Sequence, residues 1–278
     1  MAKYKKFLGL GIAGNFALHL AQAGELEEFK DIITEDEAAP KGIFPFYLPS
    51  PVPKKKNLNI YPLSSEYIKL PKENVNVQAE PEVGLVCTLT YTAGKLSKIT
   101  PTHFGAYNDC SIRIAGATKI SDKKNWGIYS KGFSNNLIPI DAFEEGGNID
   151  SYSIASFLIR DSQLHPYGEN VKLTGYSYFY DKLLDWTLNQ MTYQEDFGPL
   201  EAIEEYILTC DNPTQLLISI GATRYTEYGE NTFLQVNDEV IVILYNHDKI
   251  SYEKLIESIK NKECDLNIMS VLSQEVIL

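Results

Sequence analysis

The hydrophobic positions of this chain fall into short runs with strand-like alternation, broken by prolines, glycines and polar turns. Phe7 to Gly14 reads as a short buried strand ending in Gly-x-x-Gly. Asn15 to Ala23 offers Phe16, Leu18 and Leu20 for packing and reads as a helix, with Gly24 as its C-cap. Glu25 to Asp31 reads as a further helical turn with acids on its exposed side. From Ala39 to Pro53 come Pro40, Pro45, Pro49, Pro51 and Pro53, which predict an extended, irregular segment. Phe44, Phe46 and Tyr47 predict that this segment packs on the body of the protein. Asn57 to Leu63 and Glu66 to Leu70 are short strand candidates.

The strongest β signal is Glu82 to Tyr91, with Val83, Leu85, Val86, Leu89 and Tyr91. Thr92-Ala93-Gly94-Lys95 predicts a turn, Leu96 to Thr100 the return, and His103 to Arg113 a further extended segment. Leu137 to Ile140, Tyr152 to Arg160, Gln215 to Ile220 and Glu239 to Tyr245 read as strands. Three stretches carry helical spacing: Tyr178 to Gln190, with Phe179, Leu183 and Trp186 on one face; Pro199 to Leu208; and Tyr252 to Lys260. There is no internal repeat. The pattern predicts an α+β, β-rich chain in which helices are few. It forms a single domain: residues 1–56 as an N-terminal strand, helix and Pro-rich segment, 57–250 as the core, and 251–278 as a C-terminal helix and tail.

Composition narrows the functional classes. The chain has 278 residues and 44% hydrophobic content, that of a folded protein. Its net charge of −12 argues against nucleic acid as a partner, because phosphate neutralisation needs a basic face. The basic run Lys54 to Lys56 follows PSPVP and reads as a solvated loop. Cys87, Cys110, Cys210 and Cys264 are widely spaced, form no C-x-x-C, and have no His at zinc spacing. That usage fits a reducing compartment without disulfides, so a cytoplasmic protein is expected. Lys3, Lys5 and Lys6 ahead of Phe7 to Ala23, with Ala21-Gln22-Ala23, resemble a signal peptide, but Asn15 and His19 interrupt the apolar stretch. No run of 18 apolar residues exists, so neither a transmembrane helix nor a membrane partner is expected.

The candidate chemistry sits between Asn76 and Arg113. Glu80 and Glu82 are two apart at the head of the apolar run, and in a strand such residues share a face. By spacing alone they read first as two solvated glutamates before a strand. If Asp109 arrives from a neighbouring strand, three carboxylates converge. Hard oxygen donors without Cys or His suit Mg²⁺, Mn²⁺ or Ca²⁺.

The order of landmarks resembles the fumarylacetoacetate hydrolase-like superfamily. Gly11-Ile12-Ala13-Gly14-Asn15-Phe16-Ala17-Leu18-His19 is similar to its G-x-N-Y-x-x-H element, with Phe for Tyr. Glu80-Pro81-Glu82 resembles its E-x-E, and Phe104 to Arg113 its G-Y-x-x-x-N-D element followed by Arg. Trp126 and Lys131-Gly132-Phe133 look like its Trp and K-x-F. Gly221-Ala222-Thr223 and Leu234 to Asp238 stand where the family has G-T-P-x-G and L-x-x-G-D. The resemblance covers roughly residues 7–245 and implies a mixed, rolled β-sheet around a metal pocket, often in a homodimer.

It also implies a divalent ion, usually Mg²⁺, held by Glu80, Glu82 and Asp109. The ion chelates a small 2-oxo acid and acts as a Lewis acid in C–C hydrolysis, decarboxylation or enol–keto isomerisation. His19, Gln22 and Lys131 then fall at catalytic positions, and Asn15, Arg113 and Thr223 at substrate-binding ones. Hydrolytic members carry H-x-x-E, whose Glu orients the His; here the sequence is His19-Leu20-Ala21-Gln22. Gln22 can hydrogen-bond His19 but cannot carry charge or take a proton. Glu25 lies six residues from His19, off that helical face, unless Gly24 ends the helix and turns it back. Two more departures are Ser134, where many members have Asp, and Pro81, which predicts a strand start or bulge. His103, His165 and His247 read as structural or exposed. The contrasting reading is a fold relative that binds a metal or small acid without turnover.

Overall fold

The structure is a computed structural model and describes every residue except 18, 35, 51–56, 74 and 115. The lysine run expected as a loop lies outside the described residues. Among the described residues, fifteen strands carry the fold. In chain order they are β1 Leu8–Ala13, β2 Gly42–Tyr47, β3 Leu63–Ser64, β4 Tyr67–Lys69, β5 Asn76–Gln78, β6 Pro81–Thr92, β7 Lys95–Asn108 and β8 Ser111–Arg113. They continue with β9 Lys131–Phe133, β10 Ile138–Pro139, β11 Tyr152–Arg160, β12 Gln163–Lys172, β13 Gln215–Ser219, β14 Glu239–Asn246 and β15 Met269–Ile277. The helices are α1 His19–Gln22, α2 Ser121–Lys124, α3 Tyr180–Tyr193, α4 Ile203–Thr209, α5 Glu227–Glu230 and α6 Tyr252–Asn261.

The first sheet runs β2-β1-β13-β6-β7-β9-β3, with β10 also on β7. It is mixed: β1 pairs parallel with β13, and β3 with β9, while the remaining pairs are antiparallel. The second sheet runs β12-β11-β14-β15-β4, and β5 with β8 forms a separate ribbon. Leu85, Phe104 and Ala106 of the first sheet share one buried core with Ile154, Val242, Leu244 and Leu272 of the second. The fold is thus α+β and β-rich, with a curled mixed sheet. None of the helices is long and apolar enough to cross a membrane among the described residues.

The β6–β7 hairpin is the longest pairing. At its turn, Ala93 and Gly94 both take positive φ, 50° and 78°, the geometry of a two-residue hairpin whose twist matches the strands. The turn end is exposed, whereas Pro81 to Cys87 and Phe104 to Asn108 are buried. Pro81 begins β6, as its missing donor predicts. Pro101 does not split β7 in two; it sits opposite Cys87 where the register shifts, so one strand continues through a bulge.

The sequence pattern misplaces several elements, each for a local reason. The first helix is shorter than Asn15 to Ala23, because Asn15 uses its side chain to tie loops together and cannot join it. Gly24 does close that helix, at φ +71°, with its N–H on the Ala21 carbonyl. The Pro-rich stretch contains strand β2, and Pro45 is tolerated because β2 is an edge strand with a bulge between Gly9 and Leu10 opposite it. Residues 57–60 form a turn, not a strand. Residues 163–172, polar and interrupted by Pro166 and Gly168, form β12. The expected tail contains β15, which lies inside the second sheet between β14 and β4.

Candidate metal centre

Glu80, Glu82 and Asp109 meet at the open end of the β6–β7 hairpin. One oxygen from each lies within 4.8 Å of the others, and all three residues are buried. Glu80 sits just before β6 and Asp109 just after β7, where the Asp109 N–H donates to the Glu80 carbonyl at 2.9 Å and extends the ladder. Asn108 explains the N-D pair: its side-chain oxygen accepts from the Glu80 N–H at 3.1 Å, and its amide donates to Gln274 on β15. Glu82 accepts from the Gly221 N–H at 3.0 Å, where Gly221 holds φ at +110°.

Three cations converge on these acids, and a fourth, Lys123, pairs with the neighbouring Glu25 and Glu28. Lys124 Nζ lies 2.5 Å from Glu80 and 2.7 Å from Asp109. Lys131 Nζ lies 3.0 Å from Asp109 and donates to the Asp109 and Cys110 carbonyls. Arg113 reaches Glu80 and Glu25 at 2.8 Å each, and donates to Gln78 and to the Tyr225 hydroxyl. Lys123 bridges Glu25 and Glu28 at 2.8 Å each. Charges this deep in protein are tolerated only when paired.

Ionisation follows the pairing. Burial alone would raise the Glu80 carboxyl, but Lys124 and Arg113 outweigh it and hold Glu80 below the ordinary carboxylate range. Glu82 has no such cation at contact distance among the described residues; burial first, then Asp109, pushes it well above that range. Lys124 is the converse of Glu80: burial would lower it, and Asp109 and Glu80 raise it instead. Burial lowers Lys131.

His19 is buried, with Nδ1 lacking a hydrogen-bond partner among the described residues and its ring 5.2 Å from that of Tyr225. Burial is the main cause of its lowered pKa; the charges of Glu80, Arg113, Glu25 and Lys124 also act on it. The imidazole is therefore neutral near pH 7. Gln22 does not orient it. The Gln22 amide accepts from the Tyr225 N–H at 2.9 Å and donates to the Tyr225 carbonyl at 3.2 Å. Glu25, turned inward after Gly24, is buried in the Arg113–Lys123 network and does not face solvent as its turn predicted.

Two other expected substrate contacts are spent internally. Asn15 donates to the Tyr178 and Ile220 carbonyls and accepts from the Tyr178 N–H. Thr223 is buried, with its N–H on the Pro81 carbonyl at 3.1 Å. Arg113 lies in the site, on Glu80. Lys124, Gln78 and Tyr225 complete the cluster without a role expected from sequence, and Glu25 joins them by the turn after Gly24 that the sequence left open. Gln78 had a signal, since it precedes Glu80 and Glu82 at the same two-residue spacing. Lys124 had none, because a Lys-Lys pair ordinarily marks a solvated surface.

The residues present fit a divalent ion. The donor set is all carboxylate oxygen, and its span suits metal–oxygen distances of about 2.0–2.6 Å. Asp109's two oxygens and Glu80 Oε1 are buried and held by ion pairs to Lys124, Lys131 and Arg113. The buried Tyr107 hydroxyl, on which the charges of Asp109 and Glu82 act, also has no partner among the described residues. A surface cavity of about 640 Å³ lined by Leu70, Glu73, Asn76, Asn231 and Val236 contains none of these groups.

Known proteins place this architecture. A model described as a family of unknown function, DUF5718, matches residues 25–276. No curated protein matches the sequence. Among solved structures, 2-keto-3-deoxyarabinonate dehydratase is similar at 14% identity over 97% of this chain and 72% of its own, with TM-score 0.52. A fumarylacetoacetate hydrolase family protein from Yersinia pestis CO92 is similar at 13% over 97% and 92%, TM-score 0.52. The 5-carboxymethyl-2-hydroxymuconate delta-isomerase from Mycobacterium smegmatis is similar at 14% over 97% and 78%, TM-score 0.52. At such identities the likeness is one of fold, and the fold is the fumarylacetoacetate hydrolase-like one that the ordered motifs predict.

Proposed function

We propose that this chain, which belongs to the family of unknown function DUF5718, is a divalent-metal-dependent enzyme acting on a small 2-oxo acid. The observation that carries this reading is the convergence of Glu80, Glu82 and Asp109, buried and within 4.8 Å, on one all-oxygen donor set. Mg²⁺ or Mn²⁺ fits those donors, and Ca²⁺ fits them with looser geometry. When bound, the ion supplies Lewis acidity at the substrate's keto oxygen.

The other residues take roles from their positions. His19, neutral and with Nδ1 unpartnered, accepts the proton moved in the reaction. Arg113 and Lys131 balance the carboxylates, and Lys131 fixes Asp109 through both side chain and carbonyl. Asn15 and Thr223 shape the walls, tying β1, the 176–178 loop and the 220–223 turn together. No carboxylate hydrogen-bonds His19 among the described residues, which favours decarboxylation or enol–keto isomerisation over hydrolysis through activated water.

Calorimetric titration with Mg²⁺ and Mn²⁺ tests the metal site: binding is expected in the native chain and lost in Glu82→Gln and Asp109→Asn. Unchanged binding in both variants removes the proposal. A turnover screen with Mn²⁺, oxaloacetate and acylpyruvates tests the chemistry. His19→Gln should lose at least about 100-fold in rate, the scale of a positioned acid–base group, while keeping its metal affinity. The second reading, binding without turnover, draws on Gln22 being engaged with Tyr225 and not with His19. Metal binding with no turnover of any 2-oxo acid selects it. A homodimer and a cytoplasmic location are part of the proposal, and sedimentation of the native chain checks the former.

A further inference from the structure

Resting on the metal reading of the triad, we infer that Lys124 is the resident cation of this site, and that a divalent ion binds by exchange with its ammonium group. Lys124 Nζ is 2.5 Å from Glu80 Oε2 and 2.7 Å from Asp109 Oδ2, and its side chain is only 4% exposed. Those two oxygens belong to two of the three metal-donor residues. A divalent ion held at about 2.0–2.6 Å from the same oxygens occupies the space of the ammonium. Steric overlap and like-charge repulsion in a low-dielectric interior prevent both from staying.

The backbone around Lys124 is held on every side, so the exchange is a side-chain movement. Asn125 donates to the Phe46 and Ile60 carbonyls. Lys119, on the other flank of α2, donates to the Gly198 and Leu200 carbonyls and pairs with Asp196. Lys123 is fixed on Glu25 and Glu28. Lys124 alone of this segment points at the triad, with its Nζ also 5.2 Å from the centre of the Phe44 ring, a cation–π position. The aromatic face offers the displaced ammonium a partner as it leaves the carboxylates.

Two consequences follow. Without metal, Lys124 prevents uncompensated repulsion among three buried acids, so the fold does not depend on the ion. With metal, apparent affinity is reduced by the fraction of molecules in which Lys124 has withdrawn. For a minor conformer populated at about 1–10%, the reduction is about tenfold to a hundredfold.

The experiment is titration calorimetry of Mn²⁺ and Mg²⁺ into the native chain and Lys124→Met, paired with thermal unfolding with and without each metal. Circular dichroism confirms folding; Lys124→Gln, which keeps a hydrogen-bonding end for the carboxylates, serves if the methionine variant does not fold. The expected result is Mn²⁺ affinity tighter by about tenfold or more in the variant. The unfolding midpoint of the metal-free variant should fall, and metal should restore it by more than it raises that of the native chain. Affinity equal to or weaker than native in a folded variant overturns the exchange and leaves the metal site standing. Absence of binding heat and of any thermal shift in the native chain and both variants overturns the exchange together with the metal reading.

Discussion

Gly221 positions Glu82 through its backbone alone. Its N–H reaches the carboxylate at φ +110°, a conformation that L side chains rarely adopt, and an added Cβ would meet Asn15 at 3.0 Å. Gly221→Ala should therefore cost about 1–3 kcal/mol, read as a lower urea midpoint with unchanged slope. His19 makes a separate prediction through its depressed pKa. Below its ordinary value of 6.5 the unfolded chain takes up a proton that the folded chain refuses. This residue's share of stability is therefore present above 6.5 and falls as pH drops from there toward the folded value. His19→Gln should flatten that part of a stability-versus-pH curve. The E-x-E and N-D pairs were legible as a site through the order of the motifs around them, since two-residue spacing puts Glu80 and Glu82 on one face but reads equally as two solvated glutamates. Glu25 was hinted at by Gly24 ending the helix before it; Lys124 and Tyr225 were not legible, since each arrives by packing that no local pattern encodes.

At the scale of elements, side chains standing in for backbone decide several boundaries. Asn15 stops the first helix from starting early, and its amide satisfies groups on two other segments. Asn15→Ala should leave those buried groups unpaired and cost about 1–3 kcal/mol, measured by denaturant unfolding. Pro45 and Pro101 mislead in the same way: each sits at an edge or a bulge, where a missing donor does no harm. Apolar alternation marked β6, β11, β13 and β14 within a residue or two. Strand β12, polar and partly exposed, shows no such contrast, because it is an edge strand whose outer face meets water. The ribbon β5–β8 is three residues long on each side, too short for any periodic signal.

For the whole molecule, the two sheets depend on each other through β7 and β15. Ser270 of β15 donates to the Asn136 carbonyl and accepts from the Ala106 N–H of β7, while Gln274 accepts from Asn108 beside the triad. Truncation after Asn267 should remove a strand flanked on both sides and abolish folding, seen as loss of the β signal in circular dichroism and early elution on gel filtration. A chain that stays native-like without those residues would contradict this account. The β6–β7 hairpin has the opposite property at its far end. Ten residue-to-residue steps of extended strand separate Glu82 from Thr92, about 33 Å at the usual rise. Ala93 and Gly94 at the turn are exposed, and a Cβ added at Gly94 would meet nothing within 4 Å among the described residues. A fluorophore or a short peptide tag inserted there would ride on the same two strands that hold the carboxylates, giving an optical handle that should leave the binding of the proposed metal unchanged in calorimetric titration.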